Sequence, residues 1–299
     1  MRRKTYILFF VFLLFYPGNG EQTLQLEKKK QILSPVTETV IINSYPRDSR
    51  KFRAPQLTAT SAAILDLDSG VFMYGKNSNQ RIKPASTLKM VTALTALDYY
   101  SLKQVLTAKT LDTEGAQMGL KIGEKVTVEN LLYGLLLNSG SDAAFAFADN
   151  YNGGIVKFLY AMNKRLIDMN IKNTHFTNII GYDEDNNYTT SRDLAQIGRF
   201  VLKNNLLKKI INTKETVVTN ENSTRWYSLK NVNELLWKNL GVYGIKTGWT
   251  EEAGECLVSY IERGDKKLII VVMGSKDRFG ETEKLINWVF KNFEWLSFY

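Results

Sequence analysis

The pattern of apolar and polar positions predicts strands near both ends of the chain and helices between them. Apolar runs bounded by turn residues predict strands at residues 61–67, 71–74, 216–219, 226–229, 242–247, 256–262 and 267–273. Apolar residues that recur every three or four positions predict helices at residues 84–97, 128–137, 155–170, 192–204 and 281–293, and another that begins at Ser141. The predicted N-caps are Thr127, Ser141 and either Thr190 or Ser191. This order indicates an α+β domain whose sheet is assembled from the two termini, with a helical subdomain inserted.

The first 53 residues lack the helix and strand patterns of the rest of the chain. Three basic residues precede an apolar run at residues 6–16, and Gly18 and Gly20 offer small side chains before a cut after residue 20, which is typical of a signal peptide. The run is shorter than the ~20 residues that cross a bilayer, although an uncleaved signal anchor stays an alternative. Residues 21–53 are polar and interrupted by two prolines, which predicts a linker. We therefore expect a main domain at residues 54–299, exported to the periplasm or to the extracytoplasmic face of the membrane.

The charge and the counts of cysteine and histidine exclude several kinds of functional site. The formal net charge is +9, but the basic residues are scattered, without the arginine-rich or aromatic-basic blocks of a nucleic-acid-binding protein. The single cysteine, Cys256, excludes an internal disulfide and begins an apolar strand, so we expect it in the core. The single histidine, His175, excludes a zinc site with several histidines and leaves a Ser-His-Asp triad dependent on that residue alone. Hydrolytic chemistry is expected from serine with lysine.

Three motifs support that expectation. Ser86 and Lys89 lie three residues apart at the start of a buried helix, where a neutral amine can accept the serine proton and the helix N-terminus favours an oxyanion. Taken alone, this pair also fits a capped helix with a surface lysine. However, Ser139-Gly140-Ser141 follows about fifty residues later and Lys246-Thr247-Gly248 about 160 residues later, in the order found in penicillin-binding proteins and class A β-lactamases.

With these motifs, the chain resembles the penicillin-binding D-alanyl-D-alanine carboxypeptidases, which are low-molecular-mass penicillin-binding proteins and serine peptidases. The resemblance covers roughly residues 54–293 and includes the segments 83–89, 135–144, 173–178, 188–195 and 244–250. It implies a serine β-lactamase/DD-peptidase-like fold, with an antiparallel sheet flanked by helices, an inserted all-helical subdomain and a cleft between them. The β-rich C-terminal domain and amphipathic helix of many members are not expected here, so membrane contact is expected only through the N-terminal segment.

The resemblance also implies roles for individual residues. Ser86 is the expected nucleophile, Lys89 its base, and Ser139 the group that passes protons to or from the leaving amine. Lys89 must lose its proton to act as a base, and a second ammonium, Lys246, in the same partly dry cleft is expected to favour that loss.

The third motif and its surroundings are expected to bind substrate. Lys246 and Thr247 would hold the terminal carboxylate, next to Gly248, and Arg278 would supply another cation. The backbone N–H groups of Ser86 and Trp249 would form the oxyanion hole.

One position departs from the family pattern. The second motif usually ends in Asn, whereas this chain has Ser141, whose hydroxyl is shorter and has a single donor. Ser141 has two alternative roles: it contacts the substrate, or it caps the N-terminus of the following helix. His175 and Asn178 are expected to support a loop.

The predicted function is removal of the terminal D-Ala from peptidoglycan stem peptides through an acyl-enzyme on Ser86, as part of cell-wall biogenesis and the control of cell shape, with β-lactams as inhibitors. No metal or organic cofactor is implied. A D,D-endopeptidase acting on cross-links shares the same residues, and a catalytically weak wall-binding or sensor protein is a further alternative because of Ser141. A β-lactamase would need a deacylating carboxylate, for which Glu184 with Asn187 three residues later is a poor match.

Overall fold

A computed structural model describes residues 44–49, 51–111 and 114–297. The predicted leader at residues 1–20 and most of the predicted linker lie outside these residues. In the described part of the chain, no helix is both long enough and apolar enough to cross a membrane.

The strands of the described residues are β1 (Tyr45–Asp48), β2 (Ser61–Asp66), β3 (Phe72–Lys76), β4 (Val105–Thr107), β5 (Lys125–Thr127), β6 (Glu215–Thr219), β7 (Trp226–Lys230), β8 (Val242–Thr250), β9 (Gly254–Arg263), β10 (Lys266–Ser275) and β11 (Phe293–Leu296). The helices are α1 (Lys89–Tyr99), α2 (Val128–Leu137), α3 (Ser141–Asn150), α4 (Gly154–Asp168), α5 (Ser191–Lys203), α6 (Asn205–Asn212) and α7 (Arg278–Asn292). Two 3₁₀ turns, Ala85–Leu88 and Glu234–Trp237, complete the elements.

The central sheet has the strand order β3-β2-β10-β9-β8, and all of its neighbours are antiparallel. Its strands come from the two ends of the domain, as predicted. Strand β8, which carries the third motif, is an edge strand of this sheet. Its outer edge pairs with no other strand of the sheet and can face the helical part of the molecule.

Both faces of this sheet are covered. On β10, Ile270 and Val272 share a core with Leu285 of α7, whereas Ile269 and Val271 belong to the core on the opposite face, which α5 covers. Burial on both faces explains why β10 is a continuous apolar run rather than an alternation of apolar and polar residues. The α+β class and the antiparallel sheet flanked by helices are confirmed.

The segment between β3 and β8 is mainly helical. Helix α1 packs against α2, α4 and α5, and α3 packs against α2 and α4. Two small hairpins, β4–β5 and β6–β7, accompany these helices. The predicted bounds of α2 are confirmed, with the Thr127 side chain accepting a hydrogen bond from the N–H of Asn130, and Thr190 caps α5 in the same way.

The structure differs from the prediction near residue 45. Strand β1 lies within the segment predicted as a linker and pairs with β11, with Tyr45 opposite Leu296. Next to this pair, the Asn292 side chain accepts a hydrogen bond from the N–H of Phe52. A short, largely exposed strand with a proline has little local signal, and its partner lies about 250 residues away, so the pairing is visible only in three dimensions.

Candidate active site

Ser86 lies in the 3₁₀ turn that leads into α1. Pro84 occupies the N-cap position with φ −76°, which fits its fixed geometry. The next residue, Ala85, has φ +47°, in the left-handed region that is unfavourable for a residue with a side chain. Such conformations persist where the surroundings hold them in place, and they cluster at functional sites. Here the turn leaves Ser86 partly exposed, on the wall of a cleft.

Two glycines allow neighbouring elements to hold this turn. A Cβ on Gly248 of β8 would lie 2.9 Å from the Cβ of Ala85 and 3.0 Å from the backbone nitrogen of Ser86. A Cβ on Gly181 would collide with the carbonyl of Ala85. The Asn178 side chain shapes the chain around Gly181, because its Oδ1 accepts a hydrogen bond of 2.7 Å from the Gly181 N–H. The predicted structural role of Asn178 is thereby confirmed.

The first and second motifs meet at the amine of Lys89. Lys89 is the first residue of α1 and is only 1% exposed. Its Nζ donates to the backbone carbonyl of Ser139 at 2.6 Å and to Oγ of Ser141 at 3.0 Å, and Oγ of Ser139 lies at 3.5 Å. Ser139 has φ +61°, so the loop between α2 and α3 is also held in a left-handed conformation. These contacts bring the amine into the middle of the second motif.

The N-cap prediction for Ser141 is wrong. Helix α3 begins at Ser141 itself, Gly140 occupies the N-cap position, and the Ser141 hydroxyl faces Lys89. The buried carboxylate of Asp142 anchors the helix start instead, since it accepts hydrogen bonds from the backbone N–H groups of Met118, Gly119 and Leu120. This anchoring holds the loop around residues 114–120 against the second motif.

The third motif adds a second buried lysine. Lys246 is 1% exposed, and its Nζ donates to the carbonyl of Thr247 at 2.9 Å. Burial lowers the pKa of Lys246 well below its ordinary value, and the positive charges of Lys89 and Arg278 lower it further. The positive charge of Lys89 therefore acts on Lys246, whereas the predicted effect of Lys246 on the proton of Lys89 stays a prediction.

Arg278 joins the same site from α7. It is the first residue of that helix, and its Nη1 donates to the carbonyl of Gly248 at 3.0 Å. Its backbone N–H donates to the Glu255 carboxylate at 2.8 Å, which fixes the start of the helix beside β9. The predicted helix at residues 281–293 began three residues too late, but the expectation that Arg278 lies near the third motif is supported.

The residues from the three motifs share one cleft of about 560 Å³. Of the residues predicted for the site, those on its walls are Ser86, Ser139, Ser141, Thr247, Gly248, Trp249 and Arg278. Lys89 and Lys246 are buried next to them. Trp249 is 63% exposed and offers an aromatic surface at the entrance.

Some residues that line the cleft were not predicted from the sequence. They include residues 114–116, residues 180–183 and Val232. Asp183 ties its segment to the end of β8, since its carboxylate accepts hydrogen bonds from the Thr250 hydroxyl at 2.7 Å and from the Glu252 N–H at 3.1 Å. No motif marks these loops, because contacts between segments far apart in the chain bring them to the cleft.

Three residues considered for chemistry lie elsewhere. His175 is exposed, and its ring nitrogen Nδ1 pairs with the carbonyl of Asn186, so its predicted role in supporting a loop is confirmed. Glu184 is exposed and does not line the cleft. Cys256 is buried in the sheet, where burial raises the pKa of its thiol to about 11, so it is a core residue rather than a nucleophile.

Comparison with known proteins agrees with this geometry. The sequence model of the D-alanyl-D-alanine carboxypeptidase family matches residues 48–277. This chain belongs to that family. Among D-alanyl-D-alanine carboxypeptidases, DacF of Bacillus subtilis is 34% identical over 246 residues, and DacA of Escherichia coli is 34% identical over 263 residues. These matches cover 79% and 80% of this chain, but only 63% and 62% of the two relatives, so the chain spans less than two thirds of their length.

Solved structures show the same carboxypeptidase-family architecture. The crystal structure of a DD-transpeptidase from Streptomyces superposes with a TM-score of 0.75 at 32% identity, covering 80% of this chain and 100% of that one. A penicillin-binding protein homologue from Mycobacterium tuberculosis superposes with a TM-score of 0.76 at 30% identity, covering 82% of this chain and 96% of that one.

Proposed function

We propose that this protein is a serine D-alanyl-D-alanine carboxypeptidase that removes the terminal D-Ala from peptidoglycan stem peptides. The observation that carries the proposal is the position of the Lys89 amine, which is hydrogen-bonded to Ser139 and Ser141 one turn away from Ser86. Family membership and the names of the relatives support the same activity.

In the proposed acylation step, Oγ of Ser86 attacks the carbonyl of the penultimate D-Ala. Lys89, in its neutral form, accepts the serine proton. The backbone N–H groups of Ser86 and Trp249 donate to the oxyanion that develops. The close approach of Gly248 to the nitrogen of Ser86 supports this pairing, because it brings β8 against the turn that carries the nucleophile.

The leaving amine then needs a proton. Ser139 supplies it, and its position 3.5 Å from the Lys89 amine allows the proton taken from Ser86 to be relayed. The terminal D-Ala departs, and water hydrolyses the ester to regenerate the Ser86 hydroxyl. A β-lactam would acylate Ser86 by the same attack.

Three cationic or hydroxyl groups would hold the terminal carboxylate. Lys246, Thr247 and Arg278 are grouped at one side of the cleft. A bound carboxylate favours the charged form of Lys246, which opposes the lowering of its pKa in the free enzyme. Carboxylate binding is therefore expected to raise the pKa of Lys246. The Ser141 hydroxyl faces the cleft and would contact the peptide of the substrate.

The organisation of the chain is part of the proposal. We infer a leader or anchor at residues 1–20, a linker that follows it, and an exported peptidase domain that reaches its substrate in the periplasm or on the extracytoplasmic face of the membrane. The partners would be peptidoglycan stem peptides as substrates and β-lactams as inhibitors, with membrane contact only through the N-terminal segment.

The proposal is tested by incubating the purified chain with a pentapeptide that ends in D-Ala-D-Ala, followed by mass spectrometry of the peptide. We expect loss of one D-Ala residue, and no loss with Ser86→Ala. Saturable binding to peptidoglycan without D-Ala release would contradict the proposal and identify a wall-binding or sensor protein. Rapid turnover of penicillin, in place of a lasting adduct on the protein, would identify a β-lactamase.

A further inference from the structure

Helix α4 carries apolar side chains on its outer face as well as on its inner one. The inner face packs against α1 and α3. The residues buried there are Phe158, Ala161, Met162 and Leu166. The outer face carries Val156, Tyr160 and Ile167, which are 78%, 69% and 74% exposed and are called the apolar stripe below. Apolar residues grouped on one exposed surface are typical of a site of protein contact.

The apolar stripe stands out from the rest of the surface. Val156 and Ile167 are the two most exposed large apolar side chains in the described part of the chain. A helix that faces water on its outer side ordinarily has polar residues there. Because the inner face alone attaches α4 to the domain, the apolar stripe is not needed for folding and is available to a partner.

A charged stripe runs beside the apolar stripe. It consists of Lys157, Lys164 and Asp168, all of which are exposed. At about 100° per residue, each stripe spans about 40° of the helix circumference, and their centres are about 80° apart. Lys164 and Asp168 form an ion pair of 2.7 Å, whereas Lys157 has no charged partner among the described residues. The outer face is therefore divided lengthwise into an apolar half and a charged half.

Both stripes are nearly symmetric about the middle of the helix, at the level of Met162. Val156 lies six residues before this level and Ile167 five residues after it. Lys157 lies five residues before it and Asp168 six residues after it. At about 1.5 Å per residue, all four lie about 8–9 Å from the middle of the helix. The sequence of this face therefore pairs with a reversed copy of itself.

We propose that α4 is the interface of a homodimer, in which the helices of two copies pack antiparallel about a two-fold axis at the level of Met162. Such an axis keeps each stripe on its own side of the contact, so that apolar residues meet apolar residues and charged residues meet charged residues. Val156 then faces Ile167 of the second copy. Lys157 faces Asp168 of the second copy, and both contacts occur twice.

Charge complementarity selects a second copy as the occupant of this face. Each Lys157 ammonium meets the carboxylate of Asp168 in the other copy, which fixes the register and the antiparallel direction. The apolar stripe supplies the buried centre, where the Tyr160 rings of the two copies lie on either side of the axis. A partner of different sequence would not require a face that is symmetric in both its apolar and its charged residues.

The dimer is compatible with an accessible active site. No residue of α4 lines the cleft at Ser86, so pairing through α4 leaves both clefts open. A contact between single helices is at the small end of interface sizes, and we expect a dissociation constant of about 1–100 µM. This inference is independent of the proposed catalytic function.

Charge reversal on the full-length chain gives the sharpest test. Lys157→Glu puts two carboxylates opposite each other in both charged contacts, and Asp168→Lys puts two ammonium groups there. Each variant alone should dimerise about tenfold more weakly than the wild type. An equimolar mixture of the two variants should dimerise again, because every charged contact between unlike copies joins a carboxylate and an ammonium. Sedimentation velocity over a range of concentrations measures all four samples.

The apolar stripe is tested separately with Ile167→Lys. This change should raise the dissociation constant at least tenfold, since it removes two buried side chains from each dimer. The matched control is Val217→Lys on the β6–β7 hairpin, where Val217 is 57% exposed. It should leave the dissociation constant unchanged. Circular dichroism and urea denaturation show whether each variant is folded, and the mixture of charge-reversed variants provides a gain of association that misfolding cannot imitate.

A wild-type chain that stays monomeric at concentrations well above the expected dissociation constant would overturn the proposal. Equal weakening by Ile167→Lys and Val217→Lys, or association that neither affects, would place the contact elsewhere on the chain. A mixture of the charge-reversed variants that stays monomeric would overturn the antiparallel register. Binding of a monomeric chain to purified wall polymer, lost in Ile167→Lys alone, would overturn self-association and assign the face to that polymer.

Discussion

At the scale of single residues, the site is defined by two lysines that the fold removes from water. Lys89 and Lys246 are each 1% exposed, and Lys89 contributes to the lowered pKa of Lys246. Their hydrogen bonds with Ser139, Ser141 and Thr247 supply oxygen acceptors in place of water. Neighbouring amines in such a site can take different roles, one as a base and one as an anchor for a carboxylate.

The two lysines should therefore differ when each is removed. We expect Lys89→Ala to slow acylation of Ser86 by penicillin at least 100-fold, because the base is lost. Lys246→Ala should mainly weaken the binding of substrates that carry a carboxylate, and so raise their KM. Rates of penicillin labelling and of D-Ala release distinguish these effects, with the exposed Lys172→Ala as a control. Equal losses in kcat and unchanged KM in both variants would contradict the assigned roles.

The lowered pKa of Lys246 also predicts how stability changes with pH. The folded state releases the Lys246 proton at a lower pH than the unfolded state, whose pKa is near the ordinary 10.5. Between these two values the unfolded chain binds more protons, so the stability contributed at this position rises with pH. The cost of burying the charge is largest below the lowered pKa and disappears as the pH approaches 10.5.

Lys246→Met keeps the length of the side chain and removes the charge. Relative to the wild type, this variant should be most stabilised at low pH, and the difference in the free energy of unfolding should shrink as the pH rises. Urea denaturation of both proteins across the pH range measures the difference. A difference that is constant or that grows with pH would show that the Lys246 charge is not penalised by burial.

Ser141 shows the limit of residue-level reasoning. Its position before an Ala-rich helix favours an N-cap from the local sequence, whereas its hydroxyl is a partner of Lys89, 52 residues earlier. The choice between these roles depends on a tertiary contact that a local pattern does not contain. The positions of Ser86 and Lys89 at the start of a buried helix could be predicted, because their motif combines a helix start with a fixed spacing. Their catalytic roles stay predictions.

At the scale of elements, the strained turn at Ser86 depends on how closely its neighbours approach. Gly181 and Gly248 bring a loop and β8 against Ala85, whose φ is +47°. An added methyl group at either glycine would push the turn, and with it the Ser86 hydroxyl, out of place.

Gly181→Ala tests this dependence against Gly119→Ala. The two glycines have nearly the same φ, +103° and +99°, but a Cβ on Gly119 meets nothing within 4 Å. Gly119→Ala should cost about 1–2 kcal/mol through backbone strain alone, and Gly181→Ala about 1–3 kcal/mol more through the clash with Ala85. Only Gly181→Ala should also reduce penicillin acylation. Urea denaturation and labelling rates give both quantities, and similar effects in the two variants would contradict the packing argument.

Elements with strong local signals were predicted well. Helices α2 and α5 have apolar faces and N-cap threonines, and strands β9 and β10 are long apolar runs around a Gly turn. The pairs β1–β11 and β4–β5 were missed as elements, since strands of three or four residues have no period to detect. Helix α6 was missed because it follows α5 almost without a break.

At the scale of the whole molecule, the cleft brings together segments from the entire domain. The turn at Ser86 and the α2–α3 loop form one side, and strand β8 with the start of α7 forms the other. The sheet that supports β8 uses strands from both ends of the domain, which could be predicted from the order of strands and helices. The loops at residues 114–116 and 180–183 could not be predicted, because long-range packing brings them to the cleft.

The central claim is that the Ser86 hydroxyl is activated by lysines gathered from distant parts of the chain. Mass spectrometry of the intact protein and its peptides after incubation with penicillin tests it most directly. The account predicts one penicilloyl adduct, on the peptide that contains Ser86, which disappears in Ser86→Ala and forms far more slowly in Lys89→Ala. An adduct that persists in Ser86→Ala, or that forms at an unchanged rate in Lys89→Ala, would contradict the account.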